Sequence, residues 1–453
     1  MSDPKPKDVR RHDATPTVSR RLPDGTMIEL LYRPLDRTTA FAVWRQGMWA
    51  IEPHIEIAGE RLVPFSPTNN LIRNDVILLP SAPEEYGSKE ELLTDLRSFI
   101  HAYVDVSLTF ETILAHYVLF SWLYDSFNEV PYLRFQGDFG TGKTRALLVA
   151  GSICYKPFFA SGASTVSPLF HILDAFRGTL ILDEADFRFS DEKAELVKIL
   201  NNGNVKGMPV LRTVINRSHE FDPRAFHVFG PKIVAMRGSY SDPALESRFL
   251  TEVMGSTPLR GDIPINLTDD LREKARALRN KLLLFRFRNW GAAHIRSDAM
   301  VGAAPRVRQI LSPLLSIVDA EDARNSILDA AALAHGALVA ERGLSTEAQL
   351  LEVVRALANS SEAALPIGAI ADRFRTLHAA EYDHPITPRW IGSLLRRRLH
   401  LSPYKSNGHY VLSAANSTRL SALYRRYGIE SDTDISPDPI ENIRLGDVGT
   451  SEV

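Results

Sequence analysis

The stretch Gly137-Asp138-Phe139-Gly140-Thr141-Gly142-Lys143-Thr144 limits what this chain can fold into more than any other. It satisfies G-x-x-x-x-G-K-[ST] at every position. Its surroundings also fit: Tyr132-Leu133-Arg134-Phe135 reads as a short strand entering the loop, and Arg145 to Ala150 as a helix leaving it. A loop of this kind turns successive backbone N–H groups inward on phosphate oxygens, and the first turn of the helix adds its dipole and unpaired amides. The pattern predicts that Gly137 to Arg145 cradle the phosphates of ATP. Lys143 would reach the β- and γ-phosphates, and the Thr144 hydroxyl would bind Mg2+.

About forty residues on, Thr179-Leu180-Ile181-Leu182-Asp183-Glu184 is an apolar run ending in two carboxylates, the form of a buried parallel strand whose C-terminal end meets ligand. On its own it would read as a strand running into a solvated turn. Downstream of a complete phosphate loop, Asp183 is expected to hold Mg2+ through water and Glu184 to polarise the attacking water.

Composition bounds the rest. A chain of 453 residues, 44% hydrophobic and 24% charged, has room for two or three domains with real cores. Its single cysteine, Cys154, rules out an intramolecular disulfide and a Cys-rich zinc site. The first residues have no apolar signal core, and no apolar run reaches the roughly 20 residues of a membrane span, so a cytoplasmic protein is expected. With a net charge of −2, any nucleic-acid partner must be argued from local charge.

Taken in order, residues 1–20 are polar and aperiodic and read as a disordered start. Residues 21–85 carry short β-type runs broken by turns, a small β-rich module in which Phe41, Trp44 and Trp49 read as core rather than as base-stacking groups. Residues 86–344 read as a parallel α/β domain with a helical lid, and His116, on a helix apolar nearly all round, reads as a core histidine. A charged helix from Ser190 stops at Asn201-Asn202-Gly203-Asn204. The next stretch, Val205 to His219, is a candidate hairpin carrying Lys206, Arg212, Arg217 and His219. The basic stretch Leu271 to Trp290 reads mainly as a solvated helix face.

Gly137 to Thr144, Asp183-Glu184, the Asn202-Gly203 stop, the strand Lys232 to Met236 and Glu246-Ser247-Arg248-Phe249 together resemble the AAA+ type P-loop ATPases. Over roughly residues 100 to 260 they look most like the helicase domains of phage- and plasmid-borne primase-helicases (superfamily III-like), with some similarity to minichromosome maintenance helicases. The resemblance implies that Arg248 is an arginine finger acting on the next subunit. In that family a polar sensor, often Asn or Thr, ends the strand that here closes on Met236-Arg237-Gly238, so Arg237 would take its place. Pro305 to Leu311 resembles the family's lid, with Arg306 and Arg308 as second-sensor candidates.

Residues 345–428 read as three helices followed by a hairpin, which resembles a winged helix domain with 388–399 as recognition helix and 402–412 as wing. From Pro388 to Tyr427 there are eight Arg or Lys, among them Arg389, Arg396, Arg397, Arg398 and Lys405, and no Asp or Glu, which favours a phosphate backbone as partner. Residues 429–453 are acidic and read as a disordered tail.

The leading expectation is an ATP-driven DNA helicase or translocase working as a homo-oligomeric ring, a hexamer, in replication of a mobile element. Lys206, Arg217 and His219 would contact DNA in its channel. A DNA-bound nucleotide switch without unwinding activity is the second class. A small-molecule kinase fits poorly, because no acceptor site follows Asp183-Glu184.

Overall fold

The computed structural model describes residues 14–429 except 163, 184–190, 216–220, 241, 256–259, 296–304, 344, 361–363, 383, 407 and 414–415. Glu184, Arg217 and His219 lie outside the described residues, as do most of the segments read as a disordered start and an acidic tail.

Three apolar runs found in the sequence, joined by Phe158–Ser161 and Phe249–Val253, which the sequence reading did not pick out, assemble into one five-stranded, all-parallel sheet in a mixed α/β unit. Across the sheet the order is Phe249–Val253, Tyr132–Gln136, Lys232–Met236, Leu180–Asp183 and Phe158–Ser161. A parallel sheet needs crossover connections, and helices on its faces bury both sides of each strand. The strand Tyr132–Gln136 is accordingly buried from Tyr132 to Phe135, and Lys232–Met236 throughout. Two charged residues sit inside these central strands, and each has partners. Arg134 pairs with Glu246 at 2.7 Å and bonds Thr251, while the Lys232 ammonium donates to the carbonyls of Val228, Gly230 and Gly203.

The helix Leu108–Ser121 is buried along nearly its whole length, as its all-round apolar sequence requires. Tyr117 ties it to the sheet, donating from its hydroxyl to Pro131 O and Lys232 O. His116 is a core residue bonded to Thr112 O at 2.8 Å, and burial pushes its pKa down.

At the N-terminus an antiparallel sheet runs Ser19–Arg21, Met27–Arg33, Thr38–Arg45, Met48–Glu52. A second sheet pairs Ala14–Thr17 in parallel with Glu60–Pro64, which in turn pairs with Ile55–Ile57. Ordered structure therefore begins before residue 20, a correction to the reading of a disordered start. The partner strand lies more than forty residues away, so local composition carries no sign of the pairing. Phe41 is core and Trp44 stacks on Phe287 at 5.6 Å, whereas Trp49 is exposed.

The module does not stand apart. Residues 1–334 form one compact unit, and a buried polar cluster fastens the antiparallel sheet to the helix Asp269–Asn289. Glu29 accepts from Arg286 Nε at 2.9 Å and from the Tyr155 hydroxyl at 2.8 Å, and pairs with Lys156 at 2.8 Å. Arg286 also forks onto both oxygens of Asp125. Burial opposes ionisation of Asp125, but Arg286 outweighs it and holds the carboxyl below its usual range. Three other basic residues of this helix are paired too, Arg288 with Glu85, Lys281 with Asp95 and Arg279 with the carbonyls of Leu79 and Ser152. No described helix is long and apolar enough to cross a membrane.

The second unit, 335–453, has helices Thr346–Ser360, Ile367–His378, Pro388–Arg397 and Ser417–Tyr427. Its three-stranded sheet is ordered Leu365–Pro366, His409–Leu412, Tyr404–Ser406. The core of this unit includes Leu350, Ile370, Phe374, Ile391, Leu395 and Leu412. The division falls after Ala334, within the helix Glu321–Gly343 and some ten residues before the boundary read from sequence.

Removing one partner from a buried ion pair strands the others without compensation. Glu29→Ala is therefore expected to destabilise the first unit by about 3 kcal/mol or more in chemical denaturation. Arg45→Ala, which breaks the solvent-exposed Arg45–Glu52 pair, should leave the midpoint unchanged.

Candidate phosphate-binding site

The loop leaves the strand Tyr132–Gln136 at Gly137 and ends where the helix Lys143–Ser152 begins. Gly140 and Gly142 have φ of +79° and +89°, a region that L side chains rarely adopt. Gly137 is needed for a different reason: a Cβ there would stand 2.6 Å from Met254 O. Gly142 caps the helix without a side chain, and the helix's own first turn carries no acid against the positive end of the dipole. Lys143 lies back across the loop, its ammonium donating to Gly137 O at 2.8 Å and Asp138 O at 2.6 Å. Thr141 braces the turn by donating to Asp138 O.

Thr144 and Asp183, far apart in sequence, meet here: the threonine hydroxyl donates to Asp183 Oδ2 at 2.7 Å. A hydroxyl and a carboxylate open to solvent are hard oxygen donors and suit Mg2+, which takes few protein ligands and keeps several waters. The loop suits phosphate equally, since side chains at Gly137, Gly140 or Gly142 would clash or strain it.

The strand Lys232–Met236 lies between the loop strand and the Asp183 strand, so the residue after it emerges between the two halves of the site. That residue is Arg237. Gly137 N donates to Met236 O and the Gln136 side chain donates to Arg237 O, holding the strand end against the loop.

Two other basic candidates, Arg145 and Arg308, are placed elsewhere. Arg145 donates to the carbonyls of Pro264 and Ile265, clamping that segment beside the helix rather than joining the cradle. Arg308 is exposed next to Gln309, whose side chain reaches Glu129, just before the loop strand begins, at the end of the sheet opposite the loop. A second-sensor role for Arg308 at this chain's own loop does not fit that position. The side chain of Arg306 lies outside the described residues.

Arg248 is also at the far end of the sheet. It immediately precedes Phe249, which is in register with Tyr132, the first residue of the loop strand, and Arg248 O accepts from Tyr132 N. Five residues of strand, about 17 Å, separate it from the loop. Its guanidinium is half-buried and donates to Asn201 Oδ1. Glu246, its nearest acid in sequence, is occupied by Arg134 and by Tyr240 N.

Sequence reading missed Met254 and Asn201. Asn201 stood in the Asn-Asn-Gly run read only as a helix stop, and nothing in the sequence marks Met254, whose backbone N donates to Gln136 O at 2.7 Å.

A hairpin is present but displaced along the chain: Val210–Ile215 pairs antiparallel with Phe221–Phe226, which lies beyond the Val205 to His219 stretch read as the hairpin. Lys206 precedes it and is already engaged, donating to Asp125 O at 3.1 Å. In the second unit, Arg389, Arg396, Arg397, Arg398 and Lys405 are all exposed. Arg398 lies 3.8 Å from Glu347.

No protein-family model matches the chain and no curated protein matches it. Among solved structures it is similar to the apo C-terminal region of NrS-1, at TM-score 0.34 and 11% identity over 85% of this chain and 95% of that one. A full-length MCM homolog from Methanopyrus kandleri gives TM-score 0.32 and 12% identity over 70% and 75%. Drosophila ORC bound to DNA gives 0.15 and 13% over 77% and 96%. With TM-scores this low, these likenesses transfer no role to this chain.

If Arg145 is a clamp, Arg145→Ala should speed amide exchange in residues 260–268 and weaken binding of a nucleoside triphosphate less than about threefold. Loss of a direct charged phosphate contact, at about 1.5–3 kcal/mol, would weaken it more than about tenfold. Exchange mass spectrometry and calorimetry on one sample separate the two outcomes.

Proposed function

We propose that the chain is an ATP-hydrolysing DNA translocase, a helicase, that works as a head-to-tail ring. The observation that carries this reading is the division of charge between the two ends of the sheet. Lys143, Thr144, Asp183 and Arg237 gather at one end, and Arg248 stands at the other, farther from its own loop than an arginine side chain spans. An arginine so placed can stabilise charge at a γ-phosphate only in another copy of the chain. A heterologous contact of that kind closes into a ring, of which a hexamer is one form.

In this reading Lys143 leaves its two loop carbonyls for the β- and γ-phosphate oxygens, and the loop amides and helix N-terminus hold the remaining charge. Thr144 and Asp183 would hold Mg2+, which would supply positive charge against the phosphates. Glu184, next in sequence to Asp183, orients the attacking water, and Arg237 reports on the γ-phosphate from between the two strands. The strand pair Val210–Ile215 and Phe221–Phe226 is the element proposed to grip DNA in the channel, with Lys206 just before it and Arg217 and His219 between its two strands in sequence.

The second unit supports a nucleic-acid partner. Three helices with a three-stranded sheet are compatible with a winged helix, and Pro388–Arg397 presents Arg389, Arg396 and Arg397 at i, i+7 and i+8, on one exposed face. Lys405 sits opposite Tyr410 in the hairpin that would be the wing.

Lys143→Ala should lose tight ATP binding, whereas Glu184→Gln should keep binding and lose turnover, because the lysine contacts phosphate in the ground state and the glutamate acts only on water. Equal hydrolysis by Glu184→Gln and wild type would remove the assignment. Stimulation of turnover by single-stranded DNA, together with strand separation, favours the motor over a DNA-bound switch.

Arg248→Ala should depress turnover by a factor on the order of 10³ while leaving nucleotide affinity and assembly intact. Mixed with Lys143→Ala subunits, it should recover part of the activity, since some interfaces then join an intact pocket to an intact arginine. Normal hydrolysis by assembled Arg248→Ala would refute the role.

A further inference from the structure

The second unit carries an exposed cationic face, and the chain continues past it with the opposite charge. Pro388 to Tyr427 contains eight Arg or Lys and no acid; residues 430–453 contain seven Asp or Glu and one base, Arg444. The point where the acidic segment begins is fixed on the same unit. Ile429 N donates to Tyr424 O, and Arg355 donates to Ile429 O. Arg355 lies on the helix Thr346–Ser360, eight residues from Glu347, which sits beside Arg398 at the end of the basic helix. Eight helical residues span about 12 Å.

We propose that residues 430–453 dock on the basic face formed by Arg389, Arg396 and Arg397 and compete there with nucleic acid, so that the chain carries its own salt-sensitive inhibitor of DNA binding. The inference rests on the DNA reading of that face. Reach is ample: 24 residues span at most about 80 Å, against a few tens of Å from Ile429 to the basic helix. Tethering also supplies concentration. A segment held at about 1 mM local concentration, binding with a dissociation constant on the order of 0.1 mM, weakens a competing ligand about tenfold. Carboxylates offer the arginines the same bidentate geometry as phosphates, though with lower charge density, so DNA of sufficient length displaces the segment.

The test compares the full chain, the chain ended after Ile429, and the full chain with its seven tail acids changed to the corresponding amides. Each is titrated with a labelled single strand and its duplex, from about 50 mM to about 200 mM salt. Ending the chain and neutralising the acids should both tighten binding about tenfold at the lower salt, with the difference shrinking as salt rises. Neither change should have this effect when Arg389, Arg396 and Arg397 are also alanine. Affinities within twofold of the full chain overturn the proposal.

A second measurement needs no DNA. Cys154, the native cysteine, is buried, so Ser393→Cys on the basic helix and Asn442→Cys in the tail can be joined by a bifunctional maleimide. Cross-linking should be efficient with the acidic tail and fall severalfold with the neutralised one; equal yields overturn the docking. The two readings fail separately. If the triple alanine chain binds DNA as well as the parent, the DNA reading of this face is lost, and the cross-link alone decides where the tail sits.

Discussion

The interaction on which much of the first unit depends is a single buried ammonium. Lys232 begins the strand at the centre of the sheet, wholly buried, with Nζ donating to the carbonyls of Val228, Gly230 and Gly203. Burial, and secondarily the nearby Arg248, push its pKa well below the usual lysine range, and the three carbonyl oxygens replace the water it has lost. Those carbonyls come from both flanks of the hairpin 210–226. One cation therefore pins the end of the helix before the hairpin, the return after it, and the strand that leads to Arg237. It also accounts for Gly203, where a Cβ would stand 2.2 Å from the lysine Nζ.

How much of this was legible in the sequence follows from how local each signal is. The strand, loop and helix around Gly137 to Thr144 could be read because their pattern lies in consecutive residues, and the Asp183 strand because an apolar run ending in acid is also local. The parallel α/β character followed from those two. Strand order did not, since nothing in Lys232 to Met236 says that it lies between the other two strands. Roles set by tertiary partners were equally hidden. Arg145 looked like part of the cradle and clamps the carbonyls of Pro264 and Ile265, and Lys206 looked like a channel residue and bonds Asp125 O. The basic helix Asp269–Asn289 was read as solvated, yet Arg279 and Arg286 are buried, with acid or carbonyl partners up to 257 residues away in sequence.

The site also shows how a sheet distributes work. Parallel strands send all their C-terminal ends to one edge, so the Gly137–Gly142 loop, the Asp183 carboxylate and Arg237 between them collect there without long loops. The opposite edge receives the strand starts, and with them Arg248 and Asn201. A side chain at that edge belongs structurally to one chain and, in the proposed ring, chemically to another. Its half-buried bond to Asn201 gives it a defined resting position rather than a freely rotating one.

The Glu29–Arg286 cluster bears on how a protein of this plan can change by gain or loss of parts. By sequence the N-terminal β-module looks like a cassette that could be removed or exchanged for another. Its Glu29 carboxylate, however, pairs with an arginine and a lysine and accepts from a tyrosine hydroxyl, all three outside the module. A shortened chain beginning after the module would keep Lys156 and Arg286 but lose the anion they share. Recombination at this boundary is therefore restricted to replacements that bring an acid to the same place, and the module and the sheet are bound to diverge together.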